Sequence, residues 1–184
     1  TGNYTLVSGQ HEQSVDAGIA PSAHLRLGNL VWADYNDNGQ VDIGESGIAG
    51  VRVELLNATG TSVLESTTTS INGSYLFDNL NPGEYIVRIP ASQFATGAVL
   101  ENWSSSVGGG SYEPAADPDS NSSDNRDNGS TQGTGDVQTL PISLTLRNEP
   151  DIAVDGDDRD GNQTIDFGFV PQLASLGDKV WYDS

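Results

Sequence analysis

Residues 34–45 read DYNDNGQVDIGE. Oxygen-bearing side chains occupy the first, third, fifth, ninth and twelfth positions of this stretch, and glycine occupies the sixth. This is the spacing of the calcium loop D-x-[DN]-x-[DN]-G-x₅-E. Calcium takes roughly six to eight oxygen ligands, which alternate residues of a tight turn can supply. The template predicts these ligands: Asp34, Asn36, Asn38, the backbone carbonyl of Gln40, Asp42 and Glu45.

The residues on either side of this loop predict strands and not the helices of an EF-hand. Residues 30–32 (LVW) form a short apolar run before the loop, and residues 51–55 (VRVEL) form another after it. Three glycines between residues 44 and 50 disfavour a helix there. The loop is therefore predicted to connect two strands, which disfavours a dockerin. We expect it at the end of the module that faces residues 1–24.

The rest of the sequence predicts an all-β fold. Short runs rich in branched and aromatic residues are separated by turn sequences such as NG at 72–73 and NPG at 81–83. The last two runs alternate between apolar and polar residues, as strands with one buried face do. About seven strands with such turns predict a two-sheet sandwich. The predicted strands are residues 30–32, 51–55, 62–69, 75–77, 85–89, 142–146 and 164–169.

The composition favours cations as a structural component. The 184 residues include 26 Asp and Glu but only seven Lys and Arg, for a net charge of -19. This charge excludes non-specific nucleic-acid binding and disfavours direct contact with anionic membranes. The sequence contains no cysteine, so disulfides and thiolate metal sites are excluded. A compact fold this acidic repels itself unless cations neutralise part of the charge, which predicts Ca²⁺ as a cofactor.

Two further acidic segments are predicted to meet in space and to bind at least one more calcium ion. Neither matches a fixed template, and a solvated acidic loop is the alternative. The first segment lies within residues 104–135, a stretch rich in Gly, Ser, Asn and Asp that is costly to order without a counter-ion. The candidate ligands are Asp117, Asp119, Asn121, Asp124 and Asp127 in the first segment, and Asp155, Asp157, Asp158 and Asp160 in the second.

The chain contains an internal repeat. Residues 27–34 (LGNLVWAD) resemble residues 176–183 (LGDKVWYD), 149 positions later, and residues 14–21 (SVDAGIAP) resemble residues 164–171 (TIDFGFVP). The repeat predicts three parts. Residues 1–24 are the end of a preceding repeat plus a linker, or a donated strand; residues 25–171 are one complete repeat; residues 172–184 begin the next. The linkers between repeats are only a few residues long.

Residues 27–60 (LGNLVWADYNDNGQVDIGESGIAGVRVELLNATG) and 67–89 (TTTSINGSYLFDNLNPGEYIVRI) resemble the B repeats of the serine-aspartate-repeat surface adhesins. These belong to the wider collagen-adhesin B-type superfamily. The resemblance continues in TIDFGF at 164–169. It implies an immunoglobulin-like Greek-key sandwich with calcium-binding loops, used in tandem as the stalk of a large secreted protein. It also implies the ligands already named in residues 34–45.

One feature of that superfamily is missing from this sequence. Many of its members are locked by an isopeptide bond between a lysine and an asparagine. The predicted complete repeat contains no lysine, since the sole lysine, Lys179, belongs to the next repeat. The bond is therefore excluded, and we expect calcium to supply the rigidity.

The sequence predicts a structural protein and not an enzyme. Both histidines, His11 and His24, precede the predicted repeat, and the carboxylates lie in Gly- and Asn-rich turns. We expect a calcium-rigidified spacer of a cell-surface adhesin or extracellular fibre, with neighbouring repeats and a host or surface ligand as partners. One alternative is an adhesin module that binds a carbohydrate or protein through Trp103 and Tyr112. Another is a filament subunit that polymerises by strand exchange.

Overall fold

The computed structural model describes residue 8 and residues 24–110, 116–119 and 124–172. Most of the two predicted flanking repeats, and the candidates Asn121 and Tyr112, lie outside these residues. Within them the chain forms ten strands. Their bounds are β1 Leu25–Ala33, β2 Arg52–Asn57, β3 Val63–Thr68, β4 Phe77–Leu80, β5 Gly83–Ile89, β6 Trp103–Ser105, β7 Ser130–Thr131, β8 Val137–Gln138, β9 Ile142–Leu144 and β10 Gly161–Pro171.

The strands form two sheets. The first has the order β4-β1-β10-β6, in which β1 and β10 are parallel. The second has the order β3-β2-β5-β8-β7, with β9 also paired to β5. Among the described residues no helix is long and apolar enough to cross a membrane. The predicted all-β, immunoglobulin-like sandwich is confirmed.

The core lies between the two sheets, and alternation along the strands explains how it forms. In β10, Ile165, Phe167 and Phe169 are all fully buried and point to the same face. They pack with apolar residues of the other sheet, including Val53 and Val87. These aromatic and branched side chains are removed from water only when the two sheets pack together. Their burial is therefore a main source of the stability of the sandwich.

Each of the seven predicted runs overlaps an observed strand, but the structure has three more. β6, β7 and β8 contain only two or three residues each. Strands this short have no readable alternation, so their sequence gives no signal. They form because β6 pairs with β10 and β8 pairs with β5. Part of the predicted irregular stretch 104–135 is thus attached to both sheets.

The outer face of the first sheet is also covered. Trp32 is 1% exposed and lies against Gly168 of β10, where a Cβ atom would stand 2.8 Å from the indole ring. A glycine at 168 is needed for this close approach.

The parallel pairing of β1 and β10 fixes the position of the loop at residues 34–45. Both strands end at the same edge of the sheet, where the Asp34 amide donates to the Phe169 carbonyl at 2.9 Å. We call this edge the exit end, and the opposite edge, where β1 begins at Leu25 beside Leu80, the entry end. The loop thus lies at the opposite end of β1 from Leu25; whether it faces residues 1–24 stays a prediction, because residues 1–7 and 9–23 lie outside the described residues. Since β1 has nine residues, it carries the chain about 30 Å across the sheet before the loop begins.

Candidate metal centre

The loop at residues 34–45 folds back on its first carboxylate. Asp34 is fully buried, and its Oδ2 accepts a hydrogen bond from the Gly39 amide at 2.8 Å. Its Oδ1 accepts from the Asn38 amide at 3.2 Å. Gly39 has a φ of 71°, which favours glycine at the sharpest point of the turn. The loop therefore closes as a tight turn around the Asp34 carboxylate.

The polar side chains of the loop converge. The amides of Asn36 and Asn38 both donate to Asp42 Oδ2, at 2.8 and 2.7 Å. Glu45 accepts from the Tyr35 amide at 2.9 Å through Oε1, and from the Asp42 amide at 3.0 Å through Oε2. The backbone of the remaining predicted ligand, Gln40, pairs with that of Arg126. One turn thus brings together the side chains that the sequence singled out.

Two residues from a distant segment hold the loop from the side. Ser106, fully buried, donates from Oγ to Asp34 Oδ2 at 2.6 Å. The Val107 amide donates to Asp37 Oδ1 at 2.8 Å. The sequence analysis missed both Ser106 and Asp37. Ser106 lies in an ordinary serine run, so no sequence signal distinguishes it.

The first of the two additional acidic segments packs directly against the loop. The Val41 amide donates to the Asn125 carbonyl at 3.1 Å, and the Asp127 amide donates to the Gly39 carbonyl at 3.0 Å. Asp127 is fully buried, and its Oδ1 accepts from the Gly168 amide at 2.9 Å. Two predicted sites that are distant in sequence therefore share backbone hydrogen bonds.

A buried carboxylate of β10 lies beneath this segment. Asp166 accepts from the Leu30 amide at 3.0 Å and from the Asn125 amide at 2.9 Å. Its complete burial, and then the charge of Asp124, raise its pKa well above the usual range. The sequence analysis treated Asp166 only as a strand residue. A signal was available, because Asp16 occupies the same position in the resembling stretch 14–21.

Two more carboxylates have raised pKa values for the same physical reason. Burial, and then the charge of Asp155, raise the pKa of Asp124, whose Oδ1 is buried without a hydrogen-bond partner among the described residues. Burial, and then the charges of Asp119 and Asp155, raise the pKa of Glu149, which the sequence analysis also missed. Like charges at this proximity need protons or a cation. We call this set the acidic seam: Asp119, Asp124, Glu149, Asp155 and Asp166.

One end of the acidic seam opens into a cleft of about 450 Å³. Asp119 and Glu149 line it together with Arg159 and Asn162. Within the seam, Asp119 Oδ1 accepts from the Ser143 amide at 2.7 Å. Its neighbour Asp117 lies outside the cleft lining and accepts from the Asp119 amide at 3.0 Å. The cleft gives small ligands and ions access to the seam.

The remaining three candidates lie at the entry end and have other partners. Arg26 Nη2 is 2.6 Å from Asp157 Oδ1 and 2.6 Å from Asp158 Oδ1. The Asp160 amide and Arg26 lower the pKa of Asp158. Asp160 accepts from the Arg147 amide at 2.9 Å. An arginine thus supplies the positive charge here, where the sequence analysis expected an ion.

The donor atoms determine which metal these sites fit. Among residues 24–110, 116–119 and 124–172, no three His, Cys, Asp or Glu side chains are grouped so that they alone could hold a metal ion. The loop instead adds the amide side chains of Asn36 and Asn38 and a backbone carbonyl to its carboxylates. An all-oxygen set of this kind suits Ca²⁺ and lacks the nitrogen and sulfur ligands that select transition metals. Asp124 Oδ1, which is buried without a hydrogen-bond partner among the described residues, is another oxygen atom of the kind that Ca²⁺ prefers.

Of the aromatic residues expected to bind a ligand, Trp103 lies among the described residues. Trp103 is half-buried in β6 and packs against the hydrophobic core. Tyr112 lies outside the described residues. The role of Trp103 is therefore to cover the edge of the core beside Phe94.

The raised pKa values predict how stability depends on pH when calcium is chelated. A carboxyl whose pKa is raised by folding stabilises the folded state fully below its unfolded pKa of about 4, and this contribution is lost as the pH rises through the folded pKa. Asp124, Glu149 and Asp166 all belong to this class. In EDTA, we therefore expect the melting temperature to fall as the pH is raised from about 5 to 8. Calorimetry at constant ionic strength measures this, and a melting temperature that rises over the range would contradict it.

Comparison with known proteins finds one matching family and several similar proteins. The family model of the SdrD B-like domain matches residues 25–169. Serine-aspartate repeat-containing protein D of Staphylococcus aureus (strain Newman) is 31% identical over 179 residues, which are 97% of this chain and 11% of that protein. Serine-aspartate repeat-containing protein E of S. aureus (strain USA300) is 32% identical over 180 residues, 97% of this chain and 12% of that protein.

A third relative matches a shorter part of the chain. A fibrinogen-binding protein of Staphylococcus epidermidis is 42% identical over 84 residues, which are 46% of this chain and 8% of that protein. The chain spans about a tenth of the length of these relatives.

Proposed function

Because the chain belongs to the SdrD B-like domain family, we propose that it is a calcium-rigidified structural repeat, a spacer in the stalk of a large surface adhesin. The family is not enzymatic, in agreement with the prediction that this chain is not an enzyme. An adhesin stalk implies an extracellular location and neighbouring repeats as partners. A stalk also requires repeats that keep their shape under mechanical force.

The observation that carries this proposal is the closed conformation of residues 34–45. Asp34, at the end of β1, and Glu45, at the end of the loop, each accept two backbone amides of the loop, while Asn36 and Asn38 converge on Asp42. This arrangement brings the carboxylates of Asp34, Asp42 and Glu45 and two amide side chains into one short closed turn. A bound Ca²⁺ would neutralise the carboxylates that otherwise repel one another.

The contacts of the loop explain how ion binding would stiffen the repeat. Asp34 is hydrogen-bonded to Ser106 and Phe169, while Gly39 and Val41 are hydrogen-bonded to the segment around Asp127. Ordering this loop therefore also orders two other loop segments, around Ser106 and Asp127, and ties them to the end of β10. An ion that binds only the folded state, at 100 times its dissociation constant, adds about 2.7 kcal/mol to the free energy of unfolding.

The test of this proposal is the number of calcium ions bound by the 184-residue chain. We expect at least two ions, one in the loop and one in the acidic seam, measured by titration calorimetry and native mass spectrometry. Magnesium at the same concentration is the control, because it prefers rigid octahedral sites with several waters. A chain that binds no calcium at millimolar free ion would refute the proposal.

A second candidate function is the binding of a host protein by this repeat. The cleft beside Asp119, Glu149 and Arg159 favours it, because it combines both charge signs in a concave site. The relative named as a fibrinogen-binding protein makes fibrinogen the first ligand to test. Surface plasmon resonance with immobilised fibrinogen would support this function if Arg159→Glu abolishes binding and Arg126→Glu, outside the cleft, does not.

A further inference from the structure

The exit end of the sandwich carries an exposed apolar surface that nothing in the repeat covers. Resting on the proposed function as a tandem repeat, we propose that this surface is the docking site for the following repeat of the same chain. We call it the exit surface and define it by Tyr35, Ile43, Ile71 and Val99. Its occupant is the entry end of the next copy of the fold.

The four side chains are unusually exposed for their type. Ile43 is fully exposed, Ile71 is 83% exposed, Tyr35 58% and Val99 44%. They account for four of the nine large hydrophobic side chains that are exposed among the described residues. Isolated exposed hydrophobics are ordinary, but a group at one end of a module marks an interaction site.

Hydrogen bonds and contacts place all four at the exit end. Tyr35 and Ile43 belong to the loop that follows β1. Ile71 lies in the turn whose Gly73 carbonyl accepts the Val31 amide at 2.9 Å, next to the end of β1. Val99 packs near Gly50 and shortly precedes β6, whose first residue pairs with the last residue of β10. The apolar group therefore surrounds the point where the chain leaves the sandwich.

The path of the chain brings the following repeat to this surface. Gln172 is fixed at the exit end, because its amide donates to the Asn102 carbonyl at 2.7 Å. Residues 176–183 resemble residues 27–34, so the sequence that corresponds to β1 begins at residue 174. Only Leu173 separates it from Gln172, so the two positions lie at most about 7 Å apart. A repeat attached this closely starts beside the exit surface.

Docking at this surface gives the calcium loop a second role. Two of the four apolar residues, Tyr35 and Ile43, lie in the loop itself, and interfaces between domains of one chain commonly bury about 600–1,500 Å². Ordering of the loop by calcium then also orders half of the docking surface. The angle between consecutive repeats is thereby linked to calcium binding.

Solvent protection tests this proposal. Hydroxyl-radical labelling, read by mass spectrometry, compares the 184-residue chain with the natural chain that continues through the whole following repeat. In calcium, we expect labelling of Tyr35, Ile43 and Ile71 to fall severalfold in the longer chain. Leu140, which is 48% exposed and far from the exit end, is the control and keeps its labelling. Equal labelling of the exit surface in both chains would overturn the proposal.

A variant separates this inference from the proposed calcium role. In the longer chain, we expect Ile71→Asp to broaden the distribution of angles between repeats, measured by small-angle scattering and paramagnetic NMR, while Leu140→Asp does not. Because Ile71 lies outside the loop, the number of bound calcium ions stays the same. Protection of Ile71 in a chain that binds no calcium would support docking and contradict the calcium role. An unchanged angle distribution in Ile71→Asp would contradict docking alone.

Discussion

Removal of calcium with excess EDTA is expected to lower the melting temperature of this chain by about 5–10 °C for each site previously held at 100 times its dissociation constant. Such a site adds about 2.7 kcal/mol, and 1 kcal/mol shifts the melting temperature of a domain this size by roughly 2–4 °C. The physical cause is the acidic seam, where buried carboxylates such as Asp124 and Asp166 lie close together. Without a cation, their charges repel one another.

Calorimetry and limited proteolysis measure this effect independently. With calcium removed, we also expect faster protease cutting between residues 104 and 135, because this stretch includes β6 and the segment that holds the loop through Asp127. Sodium chloride at matched ionic strength is the control, since general screening would stabilise the acidic chain without filling a specific site. An identical melting curve in calcium and in EDTA would refute the prediction.

Replacement of both end carboxylates of the loop, Asp34→Ala with Glu45→Ala, is expected to remove one bound ion and to destabilise the exit end. Part of this loss of stability is expected to remain when calcium is removed with EDTA. Asp34 is fully buried and accepts hydrogen bonds from the Gly39 amide and the Ser106 hydroxyl, so its removal leaves buried donors unpaired, at about 1–3 kcal/mol each. The rest of the loss of stability is expected only when calcium is present, because it comes from the missing ion.

Calcium stoichiometry and hydrogen exchange distinguish these two parts. Exchange is expected to accelerate at residues 34–45 and 105–107, while the entry end around Arg26 keeps its protection. The matched control is Glu65→Ala with Asp78→Ala, which removes the same charge from two exposed positions. Loss of protection at the entry end, or an equal loss of calcium in the control, would contradict the position assigned to the loop.

Features that depend on near neighbours in the chain could be predicted from the residues alone. The spacing of residues 34–45 predicted a calcium-type loop between strands, and in the structure these residues form a closed turn between β1 and β2, around Asp34 and Gly39. Alternation in residues 164–169 predicted a strand with a buried face, which Phe167 and Phe169 provide. Turn geometry and side-chain alternation are local properties, so a pattern of a few residues is sufficient to specify them.

Long-range contacts in the folded chain determine which distant residues support the loop and which carboxylates become buried. Ser106 reaches Asp34 from 72 positions away, Asn125 reaches Asp166 across 41, and Arg26 reaches Asp158 across 132. The parallel pairing of β1 with β10 likewise set the loop at the exit end, opposite the end where β1 begins. These outcomes depend on strand pairing and burial. A carboxylate is solvated if it lies on the surface of a loop and loses its water if a loop covers it. The register of strands that are distant in sequence determines which of these two environments it has.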